Sequence, residues 1–322
     1  MPILEIKNLK KYYKIKKKIF ERHKFLKAVD GISISIEKGE TVGLVGESGC
    51  GKSTLAKVIV GLEKPTEGTV FIDGKDILNA SKKEKTNVKK TVQMIFQDPY
   101  SSLNPQKSIF SAIDEVLYLH TSLDKNQRYN RSVELLELVG MKESHLTRYP
   151  DQFSGGQRQR IGIARALAVN PKIIVADEPV SALDVSIQAQ IINLMIDIQR
   201  NNSISFLFIA HDLAVVENIS DKIYVMYLGK IVEYGKTESI ISKPSHPYTI
   251  ALLNSVPGNL FKNKNSNQNL MKDFNNESSE QMGCKFYPRC KYATEICKKE
   301  EPLLEEYSES NHFTACFNKG KL

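Results

Sequence analysis

No run of apolar residues in this chain approaches the ~18 to 20 that a membrane-crossing helix needs. The N-terminus, Met1-Pro2-Ile3-Leu4-Glu5-Ile6, lacks the charged-then-apolar order of a secretory signal. These two absences lead us to expect a cytosolic chain, or one docked on a membrane from the cytosolic side. Cysteine is scarce over most of the length: of 5 cysteines in 322 residues, Cys50 stands alone and the rest lie beyond residue 283. Without export, disulfides explain them poorly. There is no internal repeat and no heptad run, so solenoids and long coiled coils are excluded. What is present suits a globular protein. Apolar residues make up 41% and charged residues 25%, enough to bury a sizeable core and to exclude disorder throughout. Lys and Arg exceed Asp and Glu by 45 to 37, a formal charge of +8. That excess suits phosphates, nucleic acid or an anionic membrane face; a solvated basic surface explains the charge equally simply.

Residues 3 to 6, 32 to 36 and 69 to 72 read as short antiparallel strands bounded by Gly, Lys and Asp. Four apolar runs read instead as buried parallel strands: Thr41 to Val45, Val92 to Phe96, Ile173 to Ala176 and Phe206 to Ala210. Each is followed directly by a polar or glycine-rich segment. In an open α/β sheet, ligands bind beyond the carboxyl ends of the strands, so this arrangement predicts a nucleotide site. Between about 100 and 150 the pattern is helical, with Ser132 to Val139 ending at the C-cap Gly140. Ile223 to Tyr227 and Ile231 to Tyr234 read as a hairpin around Leu228-Gly229-Lys230.

Gly46-Glu47-Ser48-Gly49-Cys50-Gly51-Lys52-Ser53 fits the phosphate-loop pattern between a predicted strand and a predicted helix, Thr54 to Leu62. Its glycines let backbone N–H groups turn inward around phosphate oxygens, and the helix N-terminus adds a favourable dipole. Lys52 is expected to reach the β- and γ-phosphates, and Ser53 to ligate Mg²⁺. Cys50 reads as a small buried filler. Ile173-Ile174-Val175-Ala176-Asp177-Glu178 is an apolar strand ending in two acids. Asp177 is the candidate for holding Mg²⁺, and Glu178 for orienting and deprotonating the attacking water. Gln97 and His211 each follow one of the other strands directly; the first can sense Mg²⁺ and water, the second can reach the γ-phosphate. Phe153-Ser154-Gly155-Gly156-Gln157 precedes a helical run from Ile161 to Ala168. Two glycines before a helix make a second anion site.

With these motifs in place, the chain resembles the nucleotide-binding subunit of an ABC transporter over residues 3 to about 235. The resemblance implies an α/β fold: a P-loop NTPase core of the ABC type with a mixed sheet, an antiparallel β subdomain, and a helical subdomain at about 98 to 165. It implies a Q-loop at Gln97, a signature at Ser154, Gly155, Gly156 and Gln157, a D-loop ending at Asp184, and a switch at His211. Phe153 stands where the family commonly has Leu. Nucleotide contacts are implied for Gly46, Ser48, Gly49, Cys50, Gly51, Lys52, Ser53 and Thr54, with Tyr13 stacking on adenine and Tyr12 as the alternative. Mg²⁺ is implied at Ser53, Gln97 and Asp177. Two such domains stack head to tail in this family, each signature closing on the γ-phosphate held by the other. His246-Pro247-Tyr248-Thr249, Ala251-Leu252-Leu253 and Val256-Pro257 resemble the tail of oligopeptide, dipeptide and nickel importer ATPases. The basic stretch from Lys10 to Lys27 resembles the F-type subunit of such importers. The implied partners are a D-type ATPase subunit, two transmembrane permease subunits and, indirectly, an extracellular or periplasmic solute-binding protein. The implied place is peripheral, on the cytoplasmic face of the membrane.

The C-terminal third divides into a family-specific extension at 236 to 258, a flexible linker at 259 to 281 and a cysteine-rich lobe at 282 to 322. The linker has 7 Asn and 3 Ser in 23 positions and cannot bury enough apolar surface to fold. Cys284, Cys290, Cys297 and Cys316 suit a [4Fe–4S] cluster or a structural zinc. Zinc sites usually show a close C-x₂₋₄-C pair, absent here, and peptide-importer ATPases similar in this segment are associated with a cluster. We therefore expect ATP, Mg²⁺ and an iron–sulfur centre, with zinc as the alternative. The function expected is ATP hydrolysis driving uptake of oligopeptides or dipeptides. A nickel or other small-solute importer is the first alternative. A soluble ABC ATPase acting on nucleic acid is the second; such proteins typically carry two nucleotide-binding domains or a coiled-coil insertion, so no nucleic-acid partner is expected.

Overall fold

The computed structural model describes residues 1–15, 24–100, 102–255, 282–308 and 311–319. The expected linker, residues 16–23 of the basic stretch, and Val256-Pro257 lie outside them. The chain forms two compact units.

The first unit comprises Met1–Glu5, Ser35–Thr41 and Val70–Ile209. Its parallel strands run β8–β7–β6, with β6 at Val92–Ile95, β7 at Ile173–Asp177 and β8 at Ser205–Ala210. Ile173 pairs with Val92 on one side and Ser205 on the other. All of β7 and β8 is buried, which is why both read as unbroken apolar runs. Helices α2 (Lys82–Thr91), α3 (Ile109–His120), α4 (Lys125–Leu138), α5 (Gly155–Leu167) and α6 (Val185–Asn202) complete it. Within the helical part, Ile109, Ile113 and Leu117 recur every fourth residue and are buried on one stripe of α3. Asp124 caps α4 reciprocally with Gln127, and Arg128 ties α4 to Asp114 of α3 at 2.5 Å. Helix α4 begins seven residues before the apolar run that announced it, because Asp124 sets the start.

The second unit comprises Ile6–Ile34, Val42–Thr69 and Ala210–Leu322. Here the strand order is β11–β12–β10–β9–β3, with β3 at Thr41–Val45, β9 at Lys222–Tyr227, β10 at Lys230–Lys236, β11 at Glu305–Ser308 and β12 at His312–Thr314. β3 and β9 are parallel and the rest antiparallel, so this sheet is mixed. Helices α1 (Lys52–Ile59), α7 (Leu213–Glu217), α8 (Thr237–Ser242), α9 (Pro247–Ser255) and α10 (Glu295–Lys299) surround it. A separate antiparallel sheet has the order β2–β1–β4–β5: β1 at Leu4–Ile15, β2 at Lys24–Ile36, β4 at Glu67–Ile72 and β5 at Lys75–Asp76. Both long strands extend well past the short runs expected from sequence.

The cysteine-rich tail is joined to the mixed sheet through one of its strands. β12 pairs with β10 in the register Glu233↔Thr314, Tyr234↔Phe313 and extends the mixed sheet. The physical reason is a packed, polar-satisfied junction. The rings of Tyr224, Tyr234 and Phe313 stack at successive centroid distances of 4.7 Å. Beneath them Glu233 is fully buried, accepting hydrogen bonds from Ser245 N–H at 2.7 Å and His246 N–H at 2.9 Å, with His312 Nε2 at 2.7 Å. Burial alone would push this carboxyl up. The hydrogen bonds from His312, Ser245 and His246 outweigh it and hold the carboxyl below its ordinary 4.5. A carboxyl depressed on folding contributes stability above its unfolded value that is lost as the pH falls through the folded one. Glu233→Gln should therefore destabilise the fold at pH 7 by about the 1 to 3 kcal/mol of a damaged buried charged hydrogen bond, read as a lower thermal midpoint. The gap from the parent should narrow as the pH drops below about 4.5. A gap that stays constant down to pH 3 would contradict this account.

Candidate functional site

In the second unit the phosphate loop leaves β3 and enters α1 at Lys52. The base of the loop is buried at Gly46 and Cys50, while Ser48 and Gly49 at its tip are exposed. Lys52 is 4% exposed, and its Nζ donates to Gly46 O at 2.6 Å and Glu47 O at 3.0 Å, so the amine sits inside the turn it must serve. Ser53 and Thr54 follow in the first turn of α1, whose N–H groups face the loop. Burial pushes the Cys50 thiol up, consistent with a filler. Tyr13 lies on β1; burial and its hydroxyl's bond to Glu63 at 2.6 Å raise its pKa, and Thr54 opposes the shift. Tyr12, one residue earlier and facing the other way, donates to Asp30 at 2.5 Å. His211 is exposed, directly after β8.

In the first unit Asp177 ends β7 and is 4% exposed, and Glu178 follows with φ 45, a left-handed conformation unusual for Glu. Its N–H is fixed to Ile209 O at 2.9 Å. Its Oε2 accepts from Gln97 Nε2 at 2.9 Å, which brings together two of the three expected catalytic side chains. Ser154 caps α5, accepting from Gln157 N–H, while Gln157 Oε1 accepts from Ser154 N–H. Phe153 is buried with its ring edge-on to His145 at 5.5 Å, which accommodates the departure from Leu. A Cβ on Gly155 would lie 3.2 Å from Leu183 Cδ2, and one on Gly156 2.6 Å from Ile187 Cγ2. The signature glycines therefore admit the segment around Asp184, the N-cap of α6.

Cys284, Cys290, Cys297 and Cys316 are free thiols lining one small cavity together with His246, Phe286 and Pro302. Burial pushes Cys284 up to about 11, with Cys297 and Cys316 adding to the rise. Among the described residues, no group of three or more His, Cys, Asp or Glu is arranged to hold a metal ion. Sequence reasoning missed the contacts that the same segment makes with the phosphate loop. Arg289 grips the Glu47 carboxylate through both terminal nitrogens, at 2.8 and 2.7 Å, and Tyr248 Oη accepts from Glu47 N–H at 2.7 Å.

Two families match the chain, the ABC transporter family over residues 29–181 and the oligopeptide/dipeptide transporter C-terminal region over residues 232–297. The chain is 48% identical to the oligopeptide transport ATP-binding protein AppF of Bacillus subtilis, covering 98% of this chain and 96% of that one. It is 44% identical to the dipeptide transport ATP-binding protein DppF of Haemophilus influenzae, covering 98% and 97%. The chain belongs to the ABC transporter ATP-binding proteins of the oligopeptide/dipeptide family. A dimeric ATP-binding cassette, MJ0796, solved with ADP and phosphate, superposes with a TM-score of 0.65 at 30% identity, covering 73% of this chain and 98% of that one. ABC ATPase fold and activity follow from membership, with ATP and Mg²⁺ as the nucleotide and metal. No helix among the described residues is long and apolar enough to cross a membrane.

Proposed function

We propose that this chain is the ATPase subunit of a peptide importer, hydrolysing ATP to power uptake of oligopeptides or dipeptides through two permease subunits. What carries the reading is near-full-length similarity to dipeptide and oligopeptide transport ATP-binding proteins, tail included. The chain works head to tail with a distinct D-type ATPase subunit at the cytoplasmic face, supplied by an extracellular or periplasmic solute-binding protein. Lys52 and the loop N–H groups hold the phosphates, Tyr13 stacks on adenine, and Ser53, Gln97 and Asp177 hold Mg²⁺, which neutralises phosphate charge when bound. Glu178 orients and deprotonates water, Gln97 steadies Glu178, and His211 reaches the γ-phosphate. Ser154 to Gln157 and Asp184 serve the nucleotide of the partner.

Four cysteines lining one cavity are the observation behind a proposed metal centre there, an iron–sulfur cluster before zinc, although the described side chains are not arranged around an ion in this structure. A bound centre would supply the positive charge that buried thiolates lack. Disrupting the gene should abolish uptake of labelled di- and oligopeptides and leave nickel uptake intact; the reverse pattern would move the chain to the nickel importers. Anaerobically purified complex should contain iron and sulfide, whereas stoichiometric zinc, or no metal, removes the cluster.

A further inference from the structure

Glu47 is the second residue of the phosphate loop, and each of its polar groups is engaged. Its N–H goes to Tyr248 Oη, its C=O accepts from Lys52 Nζ, and its carboxylate is held by the fork of Arg289. A loop that binds phosphates through backbone N–H groups depends on the path of its backbone, so whatever fixes Glu47 fixes the entrance to the site. The Arg289 side chain is 13% exposed and lies against the rings of Tyr227 and Phe286, at 5.7 and 5.6 Å. Those rings also meet Tyr248, so Arg289 and Tyr248 rise from one aromatic cluster to the same loop residue. The far end of the loop is held as well. Cys50 O accepts from Gly229 N–H at 2.9 Å, and Lys285 Nζ caps the preceding Leu228 O at 2.8 Å. Arg289 itself sits in a tight turn between Cys284 and Cys290, closed by Tyr287 N–H to Cys284 O and Cys290 N–H to Tyr287 O.

From this geometry we infer that Arg289 is a positioning residue for ATP binding, setting the phosphate loop through its two-pronged pair with Glu47. A guanidinium fork fixes a carboxylate in both distance and plane, which a lysine cannot do. The role rests on the loop being the ATP site, and it concerns affinity, because Arg289 contacts the loop's first turn and none of the residues assigned to the water.

The test is a double-mutant cycle on the full chain, read by ATP titration and, with the partner subunit, by ATPase kinetics. Arg289→Gln should raise the dissociation constant and KM for ATP about tenfold, with kcat at saturating ATP changed by less than about twofold. Glu47→Gln should do the same, and the double variant should be no worse than either single one. Arg289→Lys should recover only part of the loss. Wild-type KM in Arg289→Gln, or losses that simply add in the double variant, would overturn the role. If Arg289→Gln yields no folded protein, Glu47→Gln decides alone, since it breaks the pair from the loop side; an unchanged KM there overturns it too. Wild-type chain titrated in parallel separates the two levels: no ATP binding by the parent would remove the site itself, whereas normal binding by the variants removes only Arg289's part.

Discussion

Glu178→Gln is expected to bind ATP like the parent chain and to hydrolyse it at least ~10²-fold more slowly, the usual cost of losing a general base. The geometry makes the substitution clean. Glu178 takes its left-handed conformation from the backbone, with its N–H on Ile209 O and Ser181 Oγ donating to its own C=O at 3.1 Å. A left-handed residue that is not Gly costs about 1 to 2 kcal/mol. Gln and Glu bear this alike, so fold stability should barely move. The Gln97 amide can still donate to the carbonyl oxygen of the substituted side chain, which preserves the contact and removes only the basic oxygen. ATPase assay with the partner subunit, alongside a nucleotide-retention measurement, decides the matter. Turnover near the parent level would take Glu178 out of the chemistry and leave the water to another group.

The strands that lead to the candidate site were legible because most of them are buried on both faces. Thr41–Val45, Ile173–Asp177 and Ser205–Ala210 are buried throughout and read as largely apolar runs, while Val92–Ile95 is interrupted by the half-buried Gln93; the polar residues that follow these strands are where the chemistry is expected. The start of α1 was legible from the glycines before Lys52. The long antiparallel strands were not. β1 carries Lys10, Lys11 and Lys14 on its half-exposed length, and a strand without clear alternation is indistinguishable from a solvated basic surface. The tail's pairing with the sheet is not legible for a different reason. β12 has only three residues, and its hold on the sheet depends on His312 meeting Glu233, 79 positions earlier. Arg289 meets Glu47 across 242 positions, and a lone Arg between two cysteines carries no local mark of such a partner. Local pattern reports burial and chain direction; it does not report which distant charge closes a pair.

Gly51→Ala should nearly abolish ATP binding, while Gly49→Ala in the same loop should be tolerated far better. The two glycines look equivalent in the motif but sit in different surroundings. At Gly51, φ is +112, and a Cβ would lie 2.0 Å from Ala28 O and 2.7 Å from Met226 Cε. The first neighbour is backbone and cannot swing aside. Backbone strain and overpacking each cost about 1 to 3 kcal/mol, and both fall on the residue that opens α1 and aims Lys52. At Gly49, φ is +79 but no atom lies within 4 Å of the added carbon. Only the left-handed penalty remains there, about 1 to 2 kcal/mol. With each 1.4 kcal/mol worth a factor of ten, Gly51→Ala should weaken ATP binding at least about a hundredfold, and Gly49→Ala about tenfold. Titration of both variants with ATP, with thermal unfolding run beside it, separates a displaced loop from an unfolded chain. Equal losses at the two positions would mean that conformational freedom alone, and not the close approach of Ala28, sets the requirement for glycine at position 51.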